Sequence, residues 1–297
     1  MSRAGVGIRR MPAEALFVVA AVSMYVGSAL AVSVFDQVDA LGVAWLRVVG
    51  AAVALCAWRR PWRVVWSGRR LVLVAAFGVI TASMNTAFYL AIDELPLGTA
   101  VAIEFLGPIA VVGALSRTPR NLAALALVAV GVALVSGVQW EGSPGGVAWA
   151  LTSAALWAGY IVFGSRVAGE GAGLDGLAVG LAIGAVALAP LGAPPAGPAF
   201  DSVGLLVVCL GVGVLSNAVP YGLDQVVLRR VSAERFALLL SILPVTAVVI
   251  GALLLGQVPT AVEGLGIAAV VVALVLRDRS GEGRVATVVV SETASGS

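Results

Sequence analysis

Ten long apolar stretches fill most of this 297-residue chain, separated by short polar turns. None alternates polar with apolar residues, so none reads as a strand with one wet face. A helix needs about 20 apolar residues to span roughly 30 Å of hydrocarbon. Within a bilayer the backbone amides find no water, and only helices or a closed barrel satisfy them. With 60% apolar and 11% charged residues, the chain is expected to be an all-α polytopic membrane protein whose function lies inside the helix bundle.

The spans are expected near 12–33, 38–57, 70–91, 97–116, 120–138, 144–166, 174–191, 203–223, 233–255 and 260–277. The longest outer loop is expected over the Pro/Gly-rich stretch from Pro190 to Pro198, and residues 280–297 read as a disordered cytoplasmic tail. Arg3, Arg9 and Arg10 precede the first apolar run, and Ala29-Leu30-Ala31 has the form of a signal-peptidase site. The run from Ala13 to Ser33 is nevertheless full length, and its removal would spoil the repeat described below. An uncleaved first helix is expected.

All 18 basic residues are arginine. Arg3, Arg9, Arg10, Arg59, Arg60, Arg63, Arg69, Arg70, Arg117, Arg120 and Arg166 fall on one side of the ten-span reading. Arg229, Arg230, Arg235, Arg277, Arg279 and Arg284 fall on the same side. The opposite loops carry Asp36, Asp39, Asp93, Glu94, Glu141 and Asp201 and no arginine. Basic flanks stay in the cytoplasm, which puts both termini there.

The chain also repeats itself weakly. Phe88-Tyr89-Leu90-Ala91, Leu95-Pro96-Leu97-Gly98 and Gly107-Pro108 are echoed by Asp224-Gln225-Val226-Val227, Val231-Ser232 and Leu243-Pro244, and Leu127–Leu134 by Ile267–Leu274. Each half, 12–138 and 144–279, then holds five helices. Five is odd, so the second half enters from the opposite side and the repeats are inverted, a plan that places a transport site between them.

An ionisable group at membrane depth is costly unless paired or hydrated. Arg47, Glu104 and Asn85 lie on spans two, four and three, all in the outer half. A cation, a carboxylate and an amide at one depth suit a zwitterion, guanidinium to carboxylate and Glu to ammonium. A carboxyl in a partly dry cavity can also carry a proton, which makes Glu104 the candidate for proton coupling. The competing reading is a structural Arg47–Glu104 ion pair that never meets substrate.

Asn217, Tyr221 and Asp224 share one face at i, i+4, i+7, either as an inner vestibule or with Asp224 merely at the interface. Asn85 and Tyr89 pair at i, i+4 toward the same cavity. Trp157 and Tyr160 fall near mid-membrane, away from the edges aromatic residues favour, and either line the cavity or pack. Pro108 and Pro244 lie inside spans four and nine as hinges or as static kinks. Glu14 and Glu263, at span ends, read as hydrated. The turn Trp58-Arg59-Arg60-Pro61-Trp62-Arg63 reads as an interfacial anchor.

Other chemistries are thin. With no histidine, Ser-His-Asp catalysis and imidazole metal ligation are absent. Cys56 and Cys209 lie in different spans without CxxC spacing, so neither a disulfide nor a zinc site is expected. There is no G-x-x-x-x-G-K-[ST] loop to bind ATP, and no cofactor and no nucleic-acid partner are expected.

These residues carry a resemblance. Leu46-Arg47 with Trp58–Arg63, Met84-Asn85-Thr86-Ala87-Phe88-Tyr89-Leu90, Leu95–Gly98 leading into Val101–Pro108, Val219-Pro220-Tyr221 and Leu240–Pro244 resemble the EamA family of the drug/metabolite transporter superfamily. The likeness covers all but the two tails. It implies ten helices in two EamA repeats, and efflux of small amino acids of the threonine and homoserine kind, or related metabolites, driven by the proton gradient. The exporter-like pattern has an acid just before the second-half proline, where this chain has Leu243, and Gly-Glu where it has Gly256-Gln257.

The sequence thus points to a secondary transporter whose partners are a small-molecule substrate, protons and lipid, with a homodimer left open. Its rivals are a drug or other metabolite carrier, an intramembrane enzyme and a non-transporting receptor or scaffold.

Overall fold

The computed structural model describes residues 11–115, 118–140, 143–228 and 239–276. Among these the only regular elements are helices. They comprise α1 (Ala13–Val32), α2 (Ala40–Arg59), α3 (Gly68–Glu94), α4 (Leu97–Glu104), α5 (Leu106–Leu115), α6 (Pro119–Trp140) and α7 (Pro144–Gly169). There follow α8 (Gly173–Gly192), α9 (Gly197–Phe200), α10 (Val203–Gly213), α11 (Val219–Leu228), α12 (Ile242–Leu255) and α13 (Ala261–Leu276). Six helical segments are long and apolar enough to cross a membrane: Ala13–Val32, Ala40–Arg59, Gly68–Glu94, Pro144–Val167, Gly173–Gly192 and Val203–Asp224. Shorter apolar helical stretches run Leu97–Val111, Pro119–Val135, Ile242–Leu255 and Ala261–Leu276.

Local chemistry starts and stops these helices. The Asp39 side chain accepts from Leu41 N–H at 2.8 Å and opens α2. Ser67 and Ser202 cap α3 and α10 in the same manner. Helix α2 ends on Arg60 in the left-handed region at φ 53°, where the following Pro61 cannot continue a helix. Trp58 and Trp62 stand exposed beside it, as an interfacial anchor would.

Among the described residues three apolar stretches depart from a plain helix. The apolar stretch Leu97–Val111 is broken at Phe105, between α4 and α5. Pro108 has no N–H to give the Glu104 carbonyl four residues back, so the ladder is interrupted there. The chain breaks likewise at Leu240 and Ser241, just before α12 and ahead of Pro244; the earlier residues of the expected span 233–255 lie outside those described. Between α10 and α11 the chain makes a π turn, Val214–Ala218, ahead of Pro220, which offers no N–H to the Ser216 carbonyl.

The expected loop from Pro190 to Pro198 is largely folded. Pro190 to Gly192 complete α8, and Ala196 and Ala199 are fully buried. The apolar stretch ends later than its prolines suggest because this corner packs on α2, where a Cβ on Gly42 would meet the Ala196 backbone.

Small residues let the helices touch backbone to backbone, the usual packing where lipid offers no hydrophobic gain. Helix α3 packs on α7 and α8, α2 on α8 and α10, α1 on α12 and on the α10–α11 span, and α6 on α13. At the α3–α8 crossing, a Cβ on Gly78 would collide with the Gly180 backbone. A Cβ on Gly213 would strike the carbonyl of Arg47, so α10 lies hard against α2 at the residue that matters most below. Glu263, far from being hydrated, is 3% exposed. It accepts from Thr260 N and Oγ1 at 2.8 Å each, which caps the start of α13. Cys56 and Cys209 are free thiols.

Candidate functional site: a buried guanidinium on a one-ended cavity

A cavity of about 580 Å³ occupies the bundle. It runs from Arg47, Glu104 and Asn217 at the centre to Val167, Gly173 and Leu174 at the end of α7 and the start of α8. That is the end carrying Arg59, where the guanidinium grips Asp175 through Nε–Oδ1 at 2.9 Å and Nη2–Oδ2 at 3.0 Å, tying α2 to α8. At the other end Ala31, Val34, Val38, Ile92, Leu95 and Leu97 are buried together and close the bundle.

Arg47 is 4% exposed. The π turn presents Asn217 to it, and Arg47 Nη2 donates to Asn217 Oδ1 at 2.8 Å. The guanidinium carbon lies 4.5 Å from the centre of the Tyr89 ring, a cation–π contact. Its Nε and Nη1 have no hydrogen-bond acceptor. Among the described residues the one ion pair is Arg59–Asp175, so Arg47 and Glu104 share a cavity without forming the ion pair that was the competing reading. An unsatisfied buried donor costs about 1–3 kcal/mol, more when charged. A guanidinium in this condition is primed for an anionic group.

Glu104 closes α4, where the proline-induced break turns it onto the cavity. Its Oε1 accepts from Ser153 Oγ at 2.5 Å. The same hydroxyl lies 3.2 Å from the Met84 carbonyl. One hydroxyl has one proton for these two acceptors. Asn85, beside Met84, donates its amide to Thr81 O at 2.7 Å and also faces the cavity.

Aromatic rings floor the space. Trp157 meets Phe105 edge-on at 5.0 Å. Tyr160 lies between Phe77 at 5.1 Å and Tyr221 at 6.5 Å. Of the sequence candidates, Arg47, Asn85, Glu104, Trp157, Tyr160, Asn217, Tyr221 and Pro108 line the cavity. Tyr89 is fully buried behind Arg47 and supports it rather than facing the space, and Pro244 is buried off the wall.

Sequence reasoning missed Tyr25 and Ser28 of α1, which also line the cavity, and Ser153. Ser153 stands one turn before Trp157 and two before Tyr160, and that i, i+4, i+7 register could have revealed it. Leu243 presents an apolar wall where the exporter-like pattern has an acid. Gln257 Oε1 accepts from Leu97 N–H at 2.9 Å, so it caps α4 and does not meet the cavity. No cluster of three or more Cys, Asp or Glu among the described residues could hold a metal.

A multi-span helical bundle with a charged central cavity has the layout of a membrane transporter. The EamA-like transporter family matches residues 144–277. The chain is 36% identical over 261 residues to the threonine/homoserine exporter RhtA of Salmonella typhimurium strain LT2, covering 87% of this chain and 88% of that one. It is 35% identical over 272 residues to the exporter of the same name from Escherichia coli K12, covering 90% and 92%. A crystal structure with 19% identity shares the fold at a TM-score of 0.52, over 95% of this chain and 98% of that one. The chain belongs to the EamA-like transporter family, as a multi-pass protein of the bacterial inner membrane.

Proposed function

We propose that the protein is a secondary exporter of small zwitterionic amino acids, of the size of threonine and homoserine. Arg47 receives the substrate carboxylate, Glu104 its ammonium, and Asn85 and Asn217 complete the polar ring. The observation that carries this reading is the Arg47 guanidinium: buried, held at one nitrogen by Asn217, and short of acceptors at the other two. The names of the relatives at 35–36% identity favour the same cargo. The mostly apolar remainder of the wall, including Phe17, Met24, Phe77 and Phe88, suits a small uncharged side chain better than a multiply anionic one.

In this reading the chain makes ten spans in two inverted five-helix repeats, 12–138 and 144–279, with both termini cytoplasmic. The pairing of helices supports it. Helix α3 packs on α7 and α8 as the α10–α11 span packs on α1 and α2, and α5 lies on α7 as α12 lies on α1. The breaks ahead of Pro108 and Pro244 also match, and serve as hinges. The arginine-bearing end then faces the cytoplasm, and the cavity opens where an exporter loads.

Glu104 couples transport to protons through Ser153. When Glu104 holds a proton it donates to Ser153 Oγ, which is then free to donate to Met84 O. When ionised, it takes the Ser153 proton itself.

The test is flux in liposomes carrying the full chain. Wild type exchanges homoserine, and Arg47→Gln raises the KM by roughly ten- to a hundredfold, the loss expected of a charge-assisted contact. Unchanged flux through folded Arg47→Gln, or wild-type flux no greater than that of empty vesicles, would overturn the reading.

A further inference from the structure

The site just proposed leaves one charged group of the cavity unused. Among the described residues three charged side chains line the space: Arg47, Glu104 and Asp224. A zwitterion seated on the first two neutralises both and does nothing for the third. Asp224 is partly buried, and its Oδ1 is shielded and accepts no hydrogen bond. A carboxylate taken out of water without a partner is costly, and this one stands on the open half of a cavity rather than in a packed core.

Its neighbours suit a cation. Tyr221 is one turn before Asp224 on the same face of α11. The Tyr221 ring stacks with Tyr160 at 6.5 Å and 21°, and Tyr160 meets Phe77 at 5.1 Å. Tyrosine rings beside an unpartnered carboxylate are a recognisable setting for an ammonium group. The spacing to the centre is also informative. Asp224 follows Asn217 by seven residues, roughly 10 Å along the helix, and Asn217 marks the position of Arg47. Threonine or homoserine bound at Arg47 cannot reach that far. An extended diamino acid can: six bonds separate the carboxylate carbon of lysine from its terminal nitrogen, about 7 Å, and an ion pair adds about 2.8 Å at each end.

We propose that Asp224, with Tyr221 and Tyr160, forms a second cation site that takes the side-chain ammonium of a diamino acid whose α-carboxylate rests on Arg47. The inference builds on the central site and extends its substrate class from neutral to cationic amino acids. Leu243 fits the same picture. It leaves the wall near the centre apolar, so the acid that a second ammonium can find lies toward the mouth.

The test compares lysine with homoserine as counterflow substrates in liposomes carrying the full chain, with Asp224→Asn as an isosteric change. Lysine is expected to be carried by wild type and to compete with homoserine. Asp224→Asn is expected to raise the KM for lysine by about tenfold or more, as loss of a charge-assisted hydrogen bond does, while the homoserine KM stays within about twofold. Asp224→Glu is expected to restore lysine. Failure of wild type to bind or carry lysine would overturn the proposal, and so would equal shifts for both amino acids in Asp224→Asn. The central reading fails separately, by unaltered transport of both amino acids in Arg47→Gln.

Discussion

Asn217→Asp changes the shape of the side chain very little, but the oxygen that accepts from Arg47 Nη2 at 2.8 Å becomes part of a carboxylate. Two unit charges about 4 Å apart attract by about 4 kcal/mol at an effective dielectric of about 20. In wild type that attraction is available to an incoming substrate carboxylate. In the variant it is already engaged, and the arriving anion also meets a like charge. If half of it is lost to the substrate, about 2 kcal/mol, the KM rises roughly thirtyfold at 1.4 kcal/mol per factor of ten. The folded protein is not expected to suffer, because the guanidinium gains a full counter-charge where it had an amide. Initial rates of homoserine counterflow across a concentration series give the KM, and thermal unfolding in detergent gives the stability. The expected result is a KM raised about thirtyfold with an equal or higher Tm. A folded variant with KM within about twofold of wild type would refute the assignment of Arg47 to the substrate carboxylate.

Glu104→Gln places a permanent donor beside Ser153, as a protonated carboxyl would. Homoserine counterflow is expected to persist only with a KM raised about tenfold, because the ammonium loses its carboxylate, while accumulation driven by a pH gradient is lost at any substrate concentration; full retention of pH-driven accumulation would remove Glu104 from the coupling step. Gly78→Ala drives a methyl group into the Gly180 backbone at the α3–α8 crossing. Overpacking of this sort costs about 1–3 kcal/mol, visible as a lower Tm and reduced yield of monodisperse protein, whereas an unshifted Tm would show that the crossing can open freely.

Hydropathy made the apolar helices legible, six of them long enough to cross a membrane, because a helix crossing a bilayer has to be apolar along its whole length. The interruptions were only half legible. Pro108 and Pro244 announce a lost hydrogen bond, but a proline does not say on which residue the chain will turn. The π turn at Val214–Ala218 leaves no signature in an apolar run. Arg47 could be singled out from its depth alone. Its partner could not, because Asn217 lies 170 residues away, and two charges on neighbouring spans made Glu104 look the nearer match. Glu263 was misread because position near a span end suggests water, while Thr99, whose Oγ1 lies 3.4 Å from Glu263 Oε1, comes from a distant helix. The corner after Pro190 was misread because proline and glycine composition reports a turn but not what the turn rests on.

A chamber with one doorway has a one-sided pharmacology. A membrane-impermeant molecule able to lodge between Tyr25 and Trp157 would approach them in this state from the face that bears Arg59. Applied to the opposite face it meets the plug of Val34, Val38 and Leu95. A wedge too large to let that plug part would hold the protein in this one posture, which makes such a molecule a means of freezing the cycle at loading.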